Sequence, residues 1–411
     1  MHRVVVTGLG IVSPIGNDSK EVLTSLWRGR SGIVFMPEMQ DLGFKCCLYG
    51  PVKQLDSSVI GKKGQQTMSE VSKYATVATL EALEDADLDP EDFQRKKTGV
   101  IVGTGLGGIG EATRLEQMMA SHTSLSRAGA SGPVKIMNST AAVNLAAYLG
   151  VEGRAYSLST ACCTGPDNIG HAYEMLKYGL MEVCITGAAE ENGWKQVGAS
   201  FDNSGEMPRT WNDRASQACR PYDRDRQGFV LSAGAGILIL ETLEHAQRRG
   251  ARIYAEVIGY GASNDGADMF RPTGQGLKRS IHQALKSASQ YGINSFDYIN
   301  PHGTGTQIGD MVEVQVIKEI FTNGVLVSST KGLSGHALGA TGAQEAVYTL
   351  LMLSHDFVAA TANLDNISSE CTGIGHVQRV REVSLETVMT FNSGLAGTNA
   401  CLIFRKLLGE A

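Results

Sequence analysis

One cysteine and two histidines occupy places in the sequence where their side chains can react. Cys162 lies between a predicted apolar strand, residues 155–160, and a predicted amphipathic helix from about residue 168 to residue 178. Unpaired backbone N–H groups at a helix amino terminus favour a thiolate, which is the nucleophilic form of cysteine. An isolated cysteine is more often a small buried apolar residue, so the assignment of Cys162 depends on what accompanies it.

His302 and His336 lie in matching surroundings. Each follows a predicted strand, is flanked by glycine and precedes a predicted helix, and Lys331 adds a positive charge close to His336. Most of the nine histidines need no catalytic role, but two in the same kind of junction indicate, with Cys162, a nucleophile served by imidazoles. Zinc is the competing use of Cys and His. These positions lack the closely spaced ligand pairs of zinc sites, so we expect no metal.

Strand and helix signals alternate along the chain, which predicts an α/β protein with mostly parallel sheets. Apolar or β-branched runs predict strands at residues 4–6, 98–102, 182–186, 236–240, 296–300, 325–329, 387–391 and 400–404. A weak internal echo relates residues 3–10 to residues 252–261, and chance similarity is the alternative explanation for so short a match. The echo favours a duplicated architecture, with residues 1–250 carrying Cys162 and residues 251–411 carrying both histidines.

Composition argues against several classes of function. The chain has 411 residues, a formal net charge of -6 and a pI near 5.9, so it lacks the basic character of most nucleic-acid-binding proteins. No apolar run reaches the roughly 18 residues needed to cross a bilayer, and residues 1–14 do not resemble a signal peptide. We therefore expect a cytoplasmic protein. Its eight cysteines are sparse and lack CxxC spacing, which argues against a disulfide framework, so we expect reduced thiols. The glycine-rich stretch 103–110 is too weak a signal to indicate a dinucleotide site.

Five short motifs complete the pattern. They are residues 159–162, residues 301–306, Lys331 with residues 335–340, residues 344–346 and residues 397–399. Together they resemble the β-ketoacyl-acyl-carrier-protein synthases of types I and II, which are condensing enzymes of the thiolase superfamily. The resemblance covers nearly the whole chain. It implies the thiolase fold, a five-layer α-β-α-β-α body built from two similar halves, and usually a dimer.

The resemblance also implies a role for each site residue. Cys162 would accept an acyl group from a carrier-protein thioester. His302 and His336 would stabilise the enolate released when a malonyl thioester loses CO₂, and the backbone N–H groups of Cys162 and Leu395 would form the oxyanion hole. The other implied roles are positioning of the histidine side of the site by Lys331, fixation of Lys331 by Glu345, and binding of the pantetheine arm by Thr304 and Thr306. No cofactor is implied beyond the phosphopantetheine that carries the substrates.

Three positions in the implied site depart from the family pattern. Cys163 replaces the small residue that usually follows the nucleophile, and Leu395 and Ser393 stand where elongating synthases usually carry Phe. Leu395 would gate the pocket. Its smaller side chain would admit an unusual acyl chain, such as a rigid, unsaturated or aryl-capped one; a neutral substitution is the alternative.

Two further regions bear on substrate and partner. Leu106 stands where a bulky residue can limit the depth of the acyl pocket. Lys62 and Lys63 lie in the region expected to dock the acyl carrier protein, where an arginine usual in the family is Gln66.

Three functions remain in competition at the level of sequence. The first is an elongating synthase of fatty-acid type that acts as a homodimer. The second is a specialised polyene or polyketide ketosynthase paired with a paralogue that resembles a chain-length factor. The third is a non-catalytic scaffold that only binds carrier protein, and the intact Cys162, His302, His336 and Lys331 argue against it. We expect neither nucleic acid nor membrane as a partner.

Overall fold

Apolar runs form the long strands of the molecule, and polar caps and glycines delimit the helices between them. The computed structural model describes residues 1–89, 93, 96–122, 124–293, 295–322 and 324–407. Within these residues the strands are β1 (Val4–Val12), β2 (Val34–Phe35), β3 (Leu48–Tyr49), β4 (Thr98–Gly103), β5 (Ala155–Tyr156), β6 (Val183–Glu190), β7 (Gly234–Thr242), β8 (Ala255–Asn264), β9 (Tyr298–Asn300), β10 (Leu326–Val327), β11 (Phe357–Val358), β12 (Gly375–His376), β13 (Arg381–Glu382), β14 (Thr387–Ser393) and β15 (Thr398–Arg405).

The α-helices of the described residues alternate with these strands. They are α1 (Ser19–Arg28), α2 (Pro37–Asp41), α3 (Gly61–Gln65), α4 (Glu70–Asp85), α5 (Ile109–Ala120), α6 (Gly132–Ile136), α7 (Thr140–Leu149), α8 (Thr164–Lys177), α9 (Ala199–Ser204), α10 (Leu243–Arg248), α11 (Gln275–Ala288), α12 (Gln307–Ile320), α13 (Lys331–Ser334) and α14 (Thr341–Ser354). Asp18 caps α1 by accepting from the Glu21 N–H, and Gly29 ends it in the left-handed conformation.

The large sheet repeats one strand order in its two halves. Its order is β12-β10-β9-β14-β15-β8-β1-β7-β6-β4-β5. The short edge strand β12 has no counterpart in the first half. Without it, β1-β7-β6-β4-β5 and β8-β15-β14-β9-β10, read outward from the centre, place the first, fifth, fourth, second and third strands of each half in the same sequence. The two leading strands, β1 and β8, pair where Val5 and Val6 oppose Glu256 and Ala255. This repetition is the structural form of the echo between the two ends of the sequence.

The strand directions differ from the prediction of mostly parallel sheets. β4 pairs in parallel with β5 and β6, and β9 pairs in parallel with β10 and β14. The central pairs are antiparallel: β1 with β7 and β8, β6 with β7, and β15 with β8 and β14. The prediction was wrong at the centre, because a buried strand reads as continuously apolar whichever way its neighbours run.

Helices and sheet halves alternate as five layers. α4 and α7 cover the outer face of the first half, α11 and α12 lie on the outer side of the second, and α8 and α14 lie between the halves and contact strands of both. Three apolar clusters fill the spaces around these helical layers. The predicted five-layer thiolase fold is confirmed. No helix in the described part of the chain combines the length and apolar character needed to cross a membrane.

Candidate active site

A tight turn presents Cys162 between β5 and α8. β5 is shorter than the predicted strand 155–160, because the backbone of Leu158 hydrogen-bonds to the side chain of Asn168 instead of to a neighbouring strand. Ala161 then adopts a left-handed conformation with φ of 53°. This conformation costs energy for a residue with a Cβ and persists only where surrounding contacts enforce it. Cys162 follows in a 3-10 turn that leads directly into α8.

His336 is held by the main chain of a neighbouring segment. Its N–H donates to the Val230 carbonyl at 2.7 Å, and its carbonyl accepts from the Ser232 N–H at 3.0 Å. Phe229 packs edge-on against the imidazole, with ring centroids 5.2 Å apart. In this position Nε2 of His336 lies 3.2 Å from Sγ of Cys162. Its other ring nitrogen, Nδ1, is buried and has no hydrogen-bond partner among the described residues.

His302 follows β9 and is oriented by Asn392, a fully buried residue of β14. The Asn392 side-chain amide donates to Nδ1 of His302 at 3.1 Å and to Oε2 of Glu345 at 2.7 Å. Because Nδ1 accepts this hydrogen bond, the proton of the neutral His302 imidazole belongs on Nε2. The rings of His302 and His336 meet edge to face, with centroids 5.2 Å apart.

A buried ion pair lies behind the two imidazoles. Nζ of Lys331 donates to Oε1 of Glu345, and both side chains are inaccessible to solvent. A lone charge at this depth would be strongly destabilised, so each residue requires the other. The chain of contacts therefore runs from Lys331 through Glu345 and Asn392 to His302.

Both imidazoles are neutral near pH 7. Burial lowers the pKa of His302 and of His336 well below the ordinary value, and the positive charge of Lys331 acts in the same direction. Sγ of Cys162 and one nitrogen of each histidine all lie within 4.8 Å of one another. A thiol facing two neutral imidazoles has the composition of a nucleophile with oxyanion-stabilising donors.

A metal ion is the other use for this cluster. Among the described residues, the ligand atoms of Cys162, His302 and His336 lie close enough to one another to hold one. The group contains no carboxylate, and the charge of Lys331 reaches both of its imidazoles. A divalent cation is disfavoured beside a buried positive charge. A site without metal stays our prediction.

Two family models match most of the chain. The model described as "Beta-ketoacyl synthase, N-terminal domain" matches residues 1–246, and the one described as "Beta-ketoacyl synthase, C-terminal domain" matches residues 254–365. The chain belongs to the β-ketoacyl synthase family. The predicted division of the chain between residues 250 and 251 stays a prediction.

Relatives of this β-ketoacyl synthase match it over almost its full length. The 3-oxoacyl-[acyl-carrier-protein] synthase 1 of Escherichia coli (strain K12) is 40% identical, over 99% of this chain and 100% of the relative. The crystal structure of a β-ketoacyl synthase from Burkholderia phymatum STM815 superimposes with a TM-score of 0.94 at 33% identity, covering 99% of this chain and 100% of that one. The structure of the ishigamide ketosynthase/chain length factor superimposes with a TM-score of 0.90 at 30% identity, covering 99% of this chain and 100% of that one.

Cys162 of the β-ketoacyl synthase rests as a thiol. The helix amino terminus was expected to favour the thiolate, but burial has the larger effect and raises the pKa of the Cys162 thiol to about 11. The backbone N–H groups of Leu395 and of Cys162 itself, together with the charge of Lys331, favour the thiolate but do not outweigh burial. The same two N–H groups are those expected to form the oxyanion hole.

The glycine-rich turn between β14 and β15 approaches the nucleophile closely. A Cβ on Gly394 would lie 3.0 Å from the backbone nitrogen of Cys162 and 2.5 Å from Oγ1 of Thr398, so a side chain here would force Thr398 or the Cys162 backbone to shift. Leu395 follows with a side chain that is 41% exposed, and Ala396 is left-handed with φ of 61°. The hairpin predicted here is present, and its turn lies against the Cys162 backbone.

Cys163 points away from the imidazoles. Its Sγ donates to the Asn392 carbonyl at 3.2 Å, and the residue is fully buried. Burial raises the pKa of the Cys163 thiol well above the ordinary value, and the negative charge of Asp167 adds to the effect. Of the two adjacent cysteines, Cys162 is the one that contacts His336. All eight cysteines of the chain are buried free thiols.

The loop after His302 is held by carboxylates that the sequence analysis did not identify. Glu313 and Asp310 lie three residues apart on α12, accept from the N–H groups of Gly303 and Gly305, and both bind Tyr222. Burial raises the pKa of Asp310 to about 6 and that of Glu313 to about 8. Acidic residues at this spacing ordinarily indicate a solvated helix face, so only their burial reveals the role.

Thr304 and Thr306 lie in this same loop with their hydroxyls 3.1 Å apart. Thr304 is buried and Thr306 is partly exposed. The two hydroxyls therefore form one polar patch, two residues beyond His302.

Leu106 and the two lysines lie in different environments. Leu106 is partly buried in the loop after β4, where its N–H donates to the buried Glu190 carboxylate at 3.2 Å. The Glu190 charge also raises the pKa of Cys162, which places this loop near the nucleophile. Lys62 and Lys63 are exposed on the short helix α3 and do not take part in the cluster around Cys162.

Proposed function

We propose that the chain transfers an acyl group from an acyl-carrier-protein thioester to Cys162. The thiol sulfur adds to the thioester carbonyl, and its proton passes through Nε2 of His336 to the departing pantetheine sulfur. The products are acyl–Cys162 and the free thiol of the carrier protein. The N–H groups of Cys162 and Leu395 hold the oxyanion of the tetrahedral intermediate.

Condensation with malonyl-acyl-carrier protein follows. Cleavage of the bond to the carboxylate releases CO₂ and leaves its electron pair in an enolate, whose oxygen accepts from the Nε2–H groups of His302 and His336. The enolate carbon attacks the acyl carbonyl, the bond to Sγ of Cys162 breaks, and the thiolate takes up a proton. The product is 3-oxoacyl-acyl-carrier protein, extended by two carbons, as in fatty-acid chain elongation.

One observation carries this proposal. The only reactive thiol that faces imidazoles within the described residues lies within 4.8 Å of two of them, and burial keeps both neutral. A neutral imidazole can donate one hydrogen bond to the enolate oxygen. Because it carries no positive charge, it does not attract other anions into the site. The name of the relative from Escherichia coli, 3-oxoacyl-[acyl-carrier-protein] synthase 1, describes the same reaction class for that protein.

The surrounding residues have supporting roles in this proposal. Lys331, held by Glu345, keeps the imidazoles neutral and orients His302 through Asn392. The hydroxyls of Thr304 and Thr306 bind the amide groups of the pantetheine arm. Their support is the 3.1 Å contact between the hydroxyls and their place in the His302 loop.

Selection of the acyl chain and docking of the carrier protein depend on three other parts of the molecule. Leu106 closes the inner end of the acyl pocket, and Leu395 controls entry at its mouth. The exposed Lys62 and Lys63 attract the acyl carrier protein; their support is exposure and positive charge on a chain of net charge -6.

Substitution of the two adjacent cysteines tests the proposal. Cys162→Ala should abolish both acyl loading and condensation, measured by intact mass after incubation with acyl-acyl-carrier protein, while it still releases CO₂ from malonyl-acyl-carrier protein. Cys163→Ala is the matched control and should retain loading, because Cys163 does not contact His336. Loading that survives in Cys162→Ala and disappears in Cys163→Ala would reverse the assignment.

A homodimer is part of the proposal. β5 ends the order of the large sheet, so one side of its backbone has no strand beside it among the described residues. Both of its residues are only partly buried. An open edge of this kind can pair with the same edge of a second copy. Light scattering of the purified protein measures the oligomeric state, and a monomer would contradict the proposal.

A second candidate is a polyene or polyketide ketosynthase that acts with a chain-length-factor-like paralogue. The likeness to the ishigamide ketosynthase/chain length factor and the Leu at position 395 favour it. The two candidates differ in their requirements. The elongating synthase condenses saturated acyl chains when this protein is purified alone. The second candidate condenses only after a paralogue without the nucleophilic cysteine is added.

A further inference from the structure

Asp167 is a buried carboxylate beside the nucleophile that the proposed reaction does not use. It lies in the first turn of α8 and is 7% exposed. Its Oδ2 accepts from Oγ1 of Thr160 at 2.6 Å, and its Oδ1 accepts from the hydroxyl of Tyr260 at 2.8 Å. A buried carboxylate is costly, so one whose oxygens are held by two hydroxyls rather than by a cation calls for a reason to be there.

Thr160 connects this carboxylate to the turn that presents the nucleophile. It immediately precedes the left-handed Ala161, and Cys162 comes next. Its N–H donates to Oγ1 of Thr164 at 2.9 Å, and its carbonyl accepts from Oγ1 of Thr398 at 3.1 Å. The Thr160 hydroxyl therefore adds a further tether to a residue whose main chain is already bound, and it links the turn to the Asp167 carboxylate of α8.

Tyr260 brings in the other half of the molecule. It lies in β8, and its ring packs over α8 at Gly170, where a Cβ would come within 2.1 Å of the ring. No residue but glycine fits at position 170 under this ring. The hydroxyl of Tyr260 thus reaches Asp167 at a fixed height along α8, and the chain Tyr260–Asp167–Thr160 joins the second half to the Cys162 turn.

We propose that Asp167 is a positioning residue for the nucleophile: it holds Thr160, and through Thr160 it maintains the left-handed Ala161 turn that directs Sγ of Cys162 towards His336. This inference rests on the proposed function for the identity of the nucleophile. Asp167 touches neither substrate nor reacting atoms. Its place in the first turn of α8 stabilises its negative charge, because the amino terminus of a helix carries partial positive charge.

The test compares variants that remove or keep the hydroxyl tether. Thr160→Val removes it, Thr160→Ser keeps it, and Asp167→Asn and Tyr260→Phe weaken it from the other side. Tyr254→Phe is the matched control, because the hydroxyl of Tyr254, just before β8, makes an equivalent 2.9 Å bond to Asp85 at the end of α4, away from the nucleophile. Thermal melting of each variant shows whether it is folded.

Two rates are measured for each variant: acyl loading of Cys162 by intact mass, and CO₂ release from malonyl-acyl-carrier protein. Thr160→Val and Asp167→Asn should slow loading about tenfold, the size of one hydrogen bond to a charged group, and leave CO₂ release within about twofold. Thr160→Ser and Tyr254→Phe should load at the wild-type rate. A merely structural role would lower both rates together.

Failure of this inference is separable from failure of the proposed function. If the wild-type protein forms no acyl–Cys162, the proposed function is wrong. If the wild-type protein loads normally and Thr160→Val loads equally fast, the positioning role is overturned. Equal losses of loading and of CO₂ release in Thr160→Val would also overturn it, since Cys162 is not needed for decarboxylation.

Discussion

The state of the Cys162 thiol makes a quantitative prediction about its reactivity. Burial raises its pKa from 9.0 to about 11, which corresponds to about 2.7 kcal/mol against the thiolate. At pH 8 the thiolate is then roughly 0.1% of the total, compared with roughly 10% for a thiol of pKa 9. Because the thiolate is the form that reacts, alkylation should be about a hundredfold slower than for an unburied cysteine of equal nucleophilicity.

Alkylation of Cys162 by iodoacetamide, quantified by peptide mapping between pH 6 and pH 10, measures this state. The rate should rise about tenfold for each pH unit, with no plateau below pH 10, and a cysteine-containing peptide in the same buffers is the reference. A thiolate–imidazolium pair between Cys162 and His336 predicts the opposite, a rate that is high and nearly constant around neutral pH. That result would refute the assignment of a neutral thiol and a neutral imidazole.

Substitution at the buried ion pair tests the electrostatic part of the same reasoning. The charge of Lys331 lowers the pKa of Cys162, so its removal should move the alkylation profile to still higher pH. Lys331→Met alone would leave Glu345 buried without its partner, at a cost of about 3 to 5 kcal/mol in the free energy of unfolding. The double variant Lys331→Met/Glu345→Gln avoids that cost. An unchanged profile in a folded double variant would show that Lys331 does not act on the thiol.

The other predictions concern the donors and the turn around the site. His302→Ala and His336→Asn should each lower CO₂ release from malonyl-acyl-carrier protein about a hundredfold, and near-normal release would remove that residue from the reaction. Asn392→Asp should act like His302→Ala in the same assay, because a carboxylate would take the proton of His302 onto Nδ1 and leave Nε2 without one. Gly394→Ala should slow acyl loading about tenfold or more, since its Cβ would press on the Cys162 backbone. Leu395→Phe should narrow the range of acyl groups that condense, while short saturated chains load as before; an unchanged selectivity profile would show that Leu395 only packs.

The layered fold was predictable because its repeated elements are local in sequence. Apolar runs indicated most of the long strands, and the short echo at residues 252–261 pointed to a second half that begins with a strand like β1. Strand direction was not predictable in the same way. β1 and β7 are buried on both faces, so their residues carry no alternation that would distinguish an antiparallel neighbour from a parallel one.

The reactive residues were predictable from type and place, whereas their protonation states were not. Glycine-flanked positions after strands singled out His302 and His336 without any knowledge of contacts. The pKa of each depends mainly on burial, which neighbouring residues do not reveal. The charge of Lys331 is close to His336 in sequence, but it reaches His302 only through the fold. The helix-terminus argument for Cys162 was incomplete for the same reason: it considered the N–H groups that favour the thiolate and had no measure of desolvation.

The role of Asn392 could not be predicted from a sequence motif. A polar residue near the end of the apolar strand 387–391 resembles the start of a turn, and its neighbours Ser393 and Gly394 strengthen that interpretation. In the structure it is fully buried, and its amide bridges Glu345 and His302. Its backbone carbonyl also accepts a hydrogen bond from Sγ of Cys163. Two contacts of its side chain and one of its backbone join three distant segments at this residue, and no local sequence pattern indicates them.

The unequal hydrogen bonding of the two histidines implies a division of labour. His302 accepts at Nδ1 from Asn392, so its Nε2–H is available in every step and can serve as a permanent donor to the enolate. His336 has no partner at Nδ1 among the described residues, and its Nε2 faces the thiol at 3.2 Å. Its proton is therefore free to change nitrogen. We infer that His336 takes the Cys162 proton at Nε2 and passes it to the departing pantetheine sulfur during acyl transfer. Its remaining proton then moves from Nδ1 to Nε2, where it is donated to the enolate during decarboxylation. A tautomer fixed by a partner at Nδ1 would forbid this dual use.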